Sequence, residues 1–506
     1  MQKLNNTLLK NGFNFPDDLK VSLHKELPEK VLQFGEGNFL RGFVDWQLNE
    51  LNKKDLFNGK VVVVQPIEHG LIDVLNEQDG LYTLFLRGIQ KGKIIEDKEI
   101  ITSVSRGINP YTDFEEYLKC AENPDLRVIV SNTTEAGIAY NAADRFEDAP
   151  PASFPAKLTV LLYKRFEAFK GDISKGCIII PCELIDRNGD NLKKIILRLA
   201  KEWQLGNAFI SWLEQANHFL NTLVDRIVTG YPGEEIENLS AELGYRDSLL
   251  DTAEIFHLLV IEGDKKLAAE LPFAEVGLNV LWTDDMAPYR TRKVRILNGA
   301  HTMTVLAAYL YGKNTVKECM DDEVIHTYMK KGIFEEIMPT LDLPSKELEE
   351  FASAVLERFA NPFIKHYLLS ISLNSTSKFK TRVLPSLLEY ANRKGALPKV
   401  LTFSLAALLA FYKGTEIQET SLIGRRPGNE YKVNDDMSVL NMFKTLWSAF
   451  DGSRESTEAL VTQVLGKQEM WGMDLNTVEG LTAAVANDLF DILDKGMHEA
   501  IEKIIE

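Results

Sequence analysis

The feature that most constrains the fold is a set of short apolar runs without alternating polar residues. Residues 61–64 are four valines in a row, and such a strand is typical of a parallel sheet that helices cover on both faces. Further strand candidates, separated by helical patterns, lie at residues 30–34, 128–130 and 177–180. Strands that alternate with helices predict a doubly wound α/β sheet in the N-terminal part of the chain.

The later part of the chain has a mostly helical pattern. Helices are predicted at residues 192–203, 208–223, 301–311, 321–338, 345–358, 384–393 and 399–413. Residues 254–263 and 275–282 are predicted strands that close the first domain, and the polar stretch 424–436 is a predicted surface loop. We therefore predict an α/β domain over residues 1–285 and a mostly α-helical domain over residues 286–506.

Charge and composition exclude several classes of partner. The net charge of −17 disfavours binding to nucleic acid or to an anionic membrane. The four cysteines form no C-x-x-C pair and no cluster with zinc-site spacing, so we expect free thiols and no metal site. The longest apolar run, residues 400–412, is shorter than the ~20 residues of a membrane span. We expect a cytoplasmic protein, and its oligomeric state stays open.

A glycine turn follows the first predicted strand and opens a helix. This is the context of a dinucleotide-binding fingerprint, in which the pyrophosphate meets backbone N–H groups at the helix N-terminus. The third glycine of the fingerprint is replaced by Leu40, so the match is partial and a purely structural turn is the alternative. The candidate cofactor-binding residues are Phe34, Gly35, Glu36, Gly37, Asn38, Phe39 and Arg41.

The end of the second strand lacks the usual acidic residue for the adenosine ribose. Gln65 stands there, and Glu68 is close enough in sequence to serve. No arginine follows to bind a 2′-phosphate. We favour NAD as the cofactor, with Gln65 as a binding residue, and the choice between NAD and NADP stays open.

Lys293, Asn298 and His301 stand at positions i, i+5 and i+8. On an α-helix they fall within about 140° of arc, so they could surround one oxygen atom. From spacing alone, the commoner arrangement is a structural one. It consists of a solvated lysine, a capping asparagine and a core histidine.

Several motifs in order make the chain resemble the polyol-specific long-chain dehydrogenases, the mannitol dehydrogenase family. The motifs lie at residues 35–41, 131–137, 223–228, 293–301 and 358–362. The resemblance implies a Rossmann-type domain joined to a helical domain, without a metal. It implies that Lys293 is the general acid/base and that Asn298 and His301 bind the reacting oxygen. Thr133, Thr134 and Glu135, in the second motif, are further candidate cofactor-binding residues.

Within the family, the segments at residues 32–41, 181–189 and 361–370 are most similar to the branch that acts on hexuronates, the altronate/tagaturonate pair. The alternative functions within the family are those of mannitol 2-dehydrogenases and fructuronate reductases. These enzymes carry an asparagine where this chain has Leu184. That asparagine helps to hold the reacting oxygen, so another donor or a water must replace it here. The expected reaction is NAD-dependent interconversion of D-altronate and D-tagaturonate.

The expected mechanism transfers a proton through Lys293 and a hydride to the cofactor. Burial and neighbouring cations lower the pKa of a lysine, and Arg290, Arg292 and Arg295 are near it in sequence. Asn298 and His301 would donate hydrogen bonds as negative charge develops on the oxygen.

A sugar acid also needs a cation for its carboxylate, and residues 377–382 offer Lys378, Lys380 and Arg382. The resemblance puts Lys378 nearest the substrate, whereas bidentate geometry favours Arg382. Asn221 and Asp225, at i and i+4 of a predicted helix, could bind sugar hydroxyls. An ion pair between Asp225 and Arg226 is the alternative.

Overall fold

The computed structural model describes residues 1–22, 26–134 and 136–506 of the chain. It divides into two compact units, Met1–Met286 and Ala287–Glu506. No helix within the described residues is both long enough and apolar enough to cross a membrane.

The first unit contains the strands and most of the sheet structure. Its strands are β1 (Gln2–Lys3), β2 (Leu19–Val21), β3 (Glu29–Phe34), β4 (Lys60–Val64), β5 (Tyr82–Gln90), β6 (Lys93–Ile101), β7 (Val104–Ile108), β8 (Val128–Ser131), β9 (Ile178–Pro181), β10 (His218–Phe219), β11 (Asn221–Asp225), β12 (Tyr245–Arg246), β13 (Asp251–Glu254), β14 (Leu258–Glu262) and β15 (Val280–Thr283). Its α-helices are α1 (Asn6–Lys10), α2 (Asn38–Leu40), α3 (Trp46–Asn52), α4 (Ile72–Glu77), α5 (Phe114–Lys119), α6 (Phe154–Ala168), α7 (Asn188–Glu202), α8 (Asn207–Ala216) and α9 (Ile236–Leu243). A π-helical turn, Arg41–Asp45, joins α2 to α3.

The central sheet has the order β10-β9-β8-β3-β4-β7 within the described chain, and all its neighbours are parallel. Val61 and Val63 face one apolar cluster, and Val62 and Val64 face the other. Both faces are therefore buried, which is the physical reason for the unbroken valine run. The predicted doubly wound α/β sheet is confirmed.

Smaller sheets complete the first unit. They have the orders β13-β5-β6-β2, β11-β14-β15 and β1-β12. The antiparallel β5–β6 pair was not predicted.

The predicted helix over residues 208–223 is wrong beyond Ala216, where α8 ends. The chain continues as β10, which adds in parallel to β9, and β11, which pairs with β14. Asn221 and Asp225 consequently lie on a strand and not on a helix. Positions i and i+4 share one face in both structures, so local spacing does not distinguish them. Pairing with distant strands does.

The second unit is mainly helical. Its helices are α10 (Ala287–Arg292), α11 (Gly299–Tyr311), α12 (Val316–Asp321), α13 (Glu323–Lys331), α14 (Ser345–Phe359), α15 (Leu368–Ile371), α16 (Ser375–Arg382), α17 (Leu384–Lys394), α18 (Lys399–Phe411), α19 (Met437–Ser448), α20 (Arg454–Leu465), α21 (Gln468–Trp471), α22 (Leu481–Lys495) and α23 (Met497–Ile505). π-Helical turns occupy Lys293–Asn298 and Gly332–Ile337. The long apolar helix α18 is buried from Val400 to Phe411 and forms the centre of this unit.

The loop predicted over residues 424–436 is also wrong. The strands of the second unit are β16 (Ile417–Gln418), β17 (Ser421–Arg426) and β18 (Asn429–Val433). β17 and β18 form an antiparallel hairpin, with Gly428 at φ +81° in its turn. Tyr431 and Val433 are buried, so alternate residues anchor an otherwise polar strand.

Candidate active site

The glycine turn packs tightly on the loop that follows β8. Gly35 has φ +123°, and a Cβ atom there would lie 2.9 Å from the carbonyl oxygen of Asn132. Only glycine fits this conformation and this contact. At Gly37, by contrast, a Cβ would have no neighbour within 4 Å among the described residues. The backbone at the start of α2 is therefore open to a close ligand, as a pyrophosphate requires.

The side chains of the turn are anchored in the first unit. Phe34, the last residue of β3, is buried in the apolar cluster on one face of the sheet. Phe39 stacks on Phe43 with ring centroids 5.0 Å apart. The buried Arg41 guanidinium donates to the carbonyls of Glu36 and Leu249 and to Oδ1 of Asn38. It also lies over the Tyr82 ring. These contacts hold the shape of the turn, and direct contact of these side chains with a cofactor stays a prediction.

Glu183 was not predicted as a functional residue, yet it shapes the loop after β8. Its buried carboxylate accepts hydrogen bonds from the backbone N–H and Oγ1 of Thr133, at 3.0 and 2.9 Å, and from Oγ of Ser131 at 3.0 Å. A charged residue two positions after the apolar strand β9 was the available signal. Thr134 has φ +106°, a strained conformation for a β-branched residue and one that clusters at functional sites. The predicted Glu135 lies outside the described residues.

Two predicted substrate residues are buried on β11. Asn221 accepts the backbone N–H of Asp190 at 3.1 Å and donates to Glu262 at 3.1 Å. Asp225 is 7% exposed. The contacts of Asn221 join α7, β11 and β14, which is a structural role. Leu184, for which the family resemblance implied the loss of an oxygen-binding asparagine, is 62% exposed.

Lys293, Asn298 and His301 are all half-buried in a continuous helical segment of α10, a π-helical turn and α11. The expected α-helical arc of about 140° is wrong for the first two. A π-helix hydrogen bond joins residues five apart, so Lys293 and Asn298 lie one turn apart on the same side. The π turn therefore places the lysine and the asparagine more nearly on one side of the helix than α-helical spacing would.

One of the three expected cationic neighbours of Lys293 packs elsewhere. Arg292 is buried, with its guanidinium over the rings of Tyr289 and Phe351 and its NH1 3.8 Å from Glu347. Burial lowers the pKa of Arg295. A direct effect of these arginines on the lysine stays a prediction.

His301 is surrounded by an aromatic ring and positive charges. Its ring stacks on Phe359 with centroids 4.1 Å apart and stands edge-on to His366 at 5.2 Å. Its Nε2 has no hydrogen-bond partner among the described residues. Burial holds the pKa of His301 well below its usual value, and the charges of His366, Arg358, Arg382 and Lys378 lower it further. A neutral imidazole has one N–H donor and one acceptor nitrogen.

Two of the three basic residues of α16 lie on one side of the helix, and the third lies on another. Lys378 and Arg382 both act on the pKa of His301, and burial lowers the pKa of each. Lys380 instead packs against Gly472, just after the end of α21. A Cβ atom on Gly472 would lie 3.3 Å from Cε of Lys380. Arg358, not predicted as a site residue, is a further cation near His301. We call Arg358, Lys378 and Arg382 the basic cluster.

Comparison with known proteins agrees with this architecture. The model of the Mannitol dehydrogenase Rossmann domain matches residues 29–275, and that of the Mannitol dehydrogenase C-terminal domain matches residues 285–493. Altronate oxidoreductases of Escherichia coli O6:K15:H31 (strain 536 / UPEC) and O139:H28 (strain E24377A / ETEC) are each 53% identical over 480 residues, covering 95% of this chain and 97% of theirs.

Two solved structures share the fold. A substrate-free D-sorbitol dehydrogenase has a TM-score of 0.79 at 21% identity, covering 99% of this chain and 100% of its own. A Pseudomonas fluorescens mannitol 2-dehydrogenase, in ternary complex with NAD and D-mannitol, has a TM-score of 0.66 at 21% identity, covering 99% of each chain. These likenesses confirm a Rossmann-like α/β domain with a mostly helical C-terminal domain.

Proposed function

The chain belongs to the mannitol dehydrogenase family, and we propose that it is an NAD-dependent oxidoreductase that interconverts D-altronate and D-tagaturonate. The observation that carries the proposal is the 53% identity to altronate oxidoreductases over 95% of the chain. A neutral polyol needs no counter-charge, whereas the carboxylate of a sugar acid does. The basic cluster, whose charges lower the pKa of His301, supports the same substrate pair.

The first unit, in this proposal, binds the dinucleotide, and the second carries the residues for the substrate. The open backbone at Gly37 fits a pyrophosphate at the start of α2. When bound, NAD supplies the acceptor for the hydride that leaves the substrate carbon. A reaction of this kind needs the cellular NADH pool, so we also propose a cytoplasmic location.

Lys293 handles the proton. In oxidation its neutral amine accepts the hydroxyl proton as hydride leaves the carbon that bears this hydroxyl. In reduction the ammonium returns the proton to the oxygen. Asn298, on the same side of the π turn, and the neutral His301 donate hydrogen bonds to the oxygen as its negative charge develops. One such donor is commonly worth about 3 kcal/mol of barrier.

Turnover with a panel of keto-sugars tests the proposal. Purified protein should oxidise NADH rapidly with tagaturonate, and much more slowly with fructuronate or fructose. A preference for fructuronate or fructose would leave a family dehydrogenase with a different substrate. No turnover with any of them would favour a nicotinamide-binding protein without catalysis.

The variant Lys293→Ala tests the mechanism. We expect kcat to fall by about 10²–10⁴-fold, the usual contribution of a general acid/base, while tagaturonate still binds in isothermal titration. Unchanged turnover would remove Lys293 from the mechanism.

A further inference from the structure

The end of β4 lacks the acidic residue that usually binds the adenosine ribose of NAD. In a dinucleotide-binding sheet, an acidic residue near the end of the second strand binds the adenosine ribose. Gln65 stands there and is turned onto its own loop, because its Nε2 donates to the carbonyls of Ile67 and Glu68 at 2.9 and 3.0 Å. The Glu68 side chain is exposed.

Glu36, from the glycine turn, brings a carboxylate to the same place. β3 and β4 are parallel neighbours with Phe34 opposite Val64, so Glu36 and Gln65 both lie just beyond the paired ends. A Cβ on Gly70 would lie 2.0 Å from Oε1 of Glu36 and 2.7 Å from Cδ of Gln65. The absence of a side chain at Gly70 is therefore what admits the carboxylate to the loop after β4.

Glu36 is held in place and is not a mobile surface group. It is 9% exposed, and its backbone carbonyl accepts a hydrogen bond from Nε of Arg41 at 3.2 Å. Burial raises the pKa of its carboxyl, while the backbone N–H of Leu71 and the charge of Arg41 favour the ionised form. A carboxylate has about four acceptor positions, so it can accept further hydrogen bonds on its exposed side.

The loop also offers apolar surface beside this carboxylate. Ile67 and Leu71 are 60% and 40% exposed. Ligand sites typically combine such apolar walls with a few placed polar groups. An adenosine has the matching chemistry, an apolar ring face joined to ribose hydroxyls.

We propose that Glu36 replaces the missing acidic residue of β4, accepting hydrogen bonds from the adenosine ribose hydroxyls and excluding a 2′-phosphate. The inference rests on the proposed binding of a dinucleotide. A ribose hydroxyl donates to a carboxylate, whereas a phosphate would place two negative groups at close range in a partly buried site, where repulsion is strong. Glu36 is thereby the residue that selects NAD over NADP.

Binding measurements without substrate test this role. The Kd values of NADH and NADPH are measured by isothermal titration for the wild-type protein, Glu36→Gln and Glu68→Gln. We expect the wild-type protein to bind NADH more tightly. Glu36→Gln keeps the size of the side chain but removes its charge. It should lower the ratio of the Kd for NADPH to the Kd for NADH by at least tenfold. Glu68→Gln, the matched control, should leave the ratio within twofold of wild type.

Gly70→Ala gives an independent test that retains the carboxylate but displaces it from the loop. It should narrow the ratio in the same direction, and it decides the matter if Glu36→Gln does not fold. Circular dichroism and the melting temperature show which variants are folded. An unchanged ratio in a folded variant, a wild-type preference for NADPH, or a shift caused by Glu68→Gln overturns the inference alone. A wild-type protein that binds neither dinucleotide overturns the proposed function together with the inference.

Discussion

At the scale of single residues, α16 shows how position on a helix separates chemically similar side chains. Lys378 and Arg382 stand at i and i+4 and act on the same histidine. Lys380, between them, packs towards Gly472. Residues two apart on a helix do not share a face, so the three cations offered by the sequence reduce to two for one substrate group.

Lys378→Ala should therefore weaken binding of the sugar acid much more than Lys380→Ala. We expect KM for tagaturonate to rise about 10- to 100-fold, since a hydrogen bond to a charged group is worth about 1.5–3 kcal/mol. Lys380→Ala, on the same helix, should change KM less than twofold. Steady-state kinetics of both variants provide the measurement, and a larger effect of Lys380→Ala would place the carboxylate elsewhere.

The residue types of the site were predictable, but their neighbours were not. Lys293, Asn298 and His301 stand in one short segment, so their spacing could be recognised. Phe359, His366 and Arg358 reach His301 only through packing. Nothing in local spacing shows which distant ring or cation this histidine will meet.

At the scale of elements, π-helical turns place functional and structural groups. A π turn contains one residue more than an α turn, which apolar periodicity does not reveal. The turn Lys293–Asn298 carries the proposed catalytic pair. The turn Gly332–Ile337 presents Glu336 to the N-terminus of α18, where its carboxylate accepts the backbone N–H groups of Val400 and Leu401 at 2.8 and 2.9 Å.

Glu336→Ala should destabilise the second unit, because it leaves two N–H groups at a buried helix start without their acceptor. We expect a loss of about 2 kcal/mol and a melting temperature lower by about 5 °C. Calorimetry gives the comparison. The exposed neighbour Glu335 supplies the control variant Glu335→Ala, which should melt like the wild type. Equal melting of all three proteins would show that the cap is dispensable.

The connection between β13 and β14 contains a histidine that should make stability depend on pH. Nε2 of His257 accepts the backbone N–H of Asn279 at 2.8 Å, so the ring must be neutral. Burial, together with the charge of Arg226, lowers the pKa of His257 to about 3. An unfolded histidine titrates near pH 6.5. The stabilisation is therefore complete above about pH 6.5 and is lost as the pH falls towards 3.

We expect His257 to account for ~1 kcal/mol of lost stability between pH 7 and pH 5, allowing for solvent screening of a partly exposed ring. Denaturation midpoints at the two pH values measure this loss. His257→Gln should have a shallower dependence than the wild type, whereas His69→Gln, at an exposed histidine, should not. An unaltered slope in His257→Gln would contradict the assignment.

At the scale of the whole molecule, the four cysteines are divided between the two units, so their reactivity can show when each unit opens. Cys120, Cys177 and Cys182 are buried in the first unit and Cys319 is buried in the second, all as free thiols. Burial raises the pKa of Cys120 and of Cys319 to about 12. The reactive species is the thiolate, so both burial and protonation protect these groups.

An aromatic disulfide reagent should thus react with fewer than one thiol per native chain and with all four in denaturant. If one unit opens before the other, the thiols should react in groups of three and one. The variant Cys319→Ser identifies the single group. Rapid reaction of a thiol under native conditions would contradict the buried placement and mark the unit that opens.

The sequence by itself determined the features that depend on local pattern. The valine run of β4 required a sheet covered on both faces, and the glycine at position 35 required a close turn after β3. The spacing of Lys293 and its partners, together with the companion motifs, identified the family. These features are local because strand burial, turn conformation and helical spacing each act over a few residues.

Only the tertiary structure decided the features that depend on distant partners. His218–Phe219 and Asn221–Asp225 form strands because they pair with β9 and β14. Residues 421–433 form a hairpin in which Tyr431 and Val433 are buried. The separation of Lys380 from the basic cluster, and the place of Glu36 at the end of β4, follow from packing in the same way. Contacts between residues far apart in the chain leave no periodic trace in the sequence, and they outweigh weak local preferences.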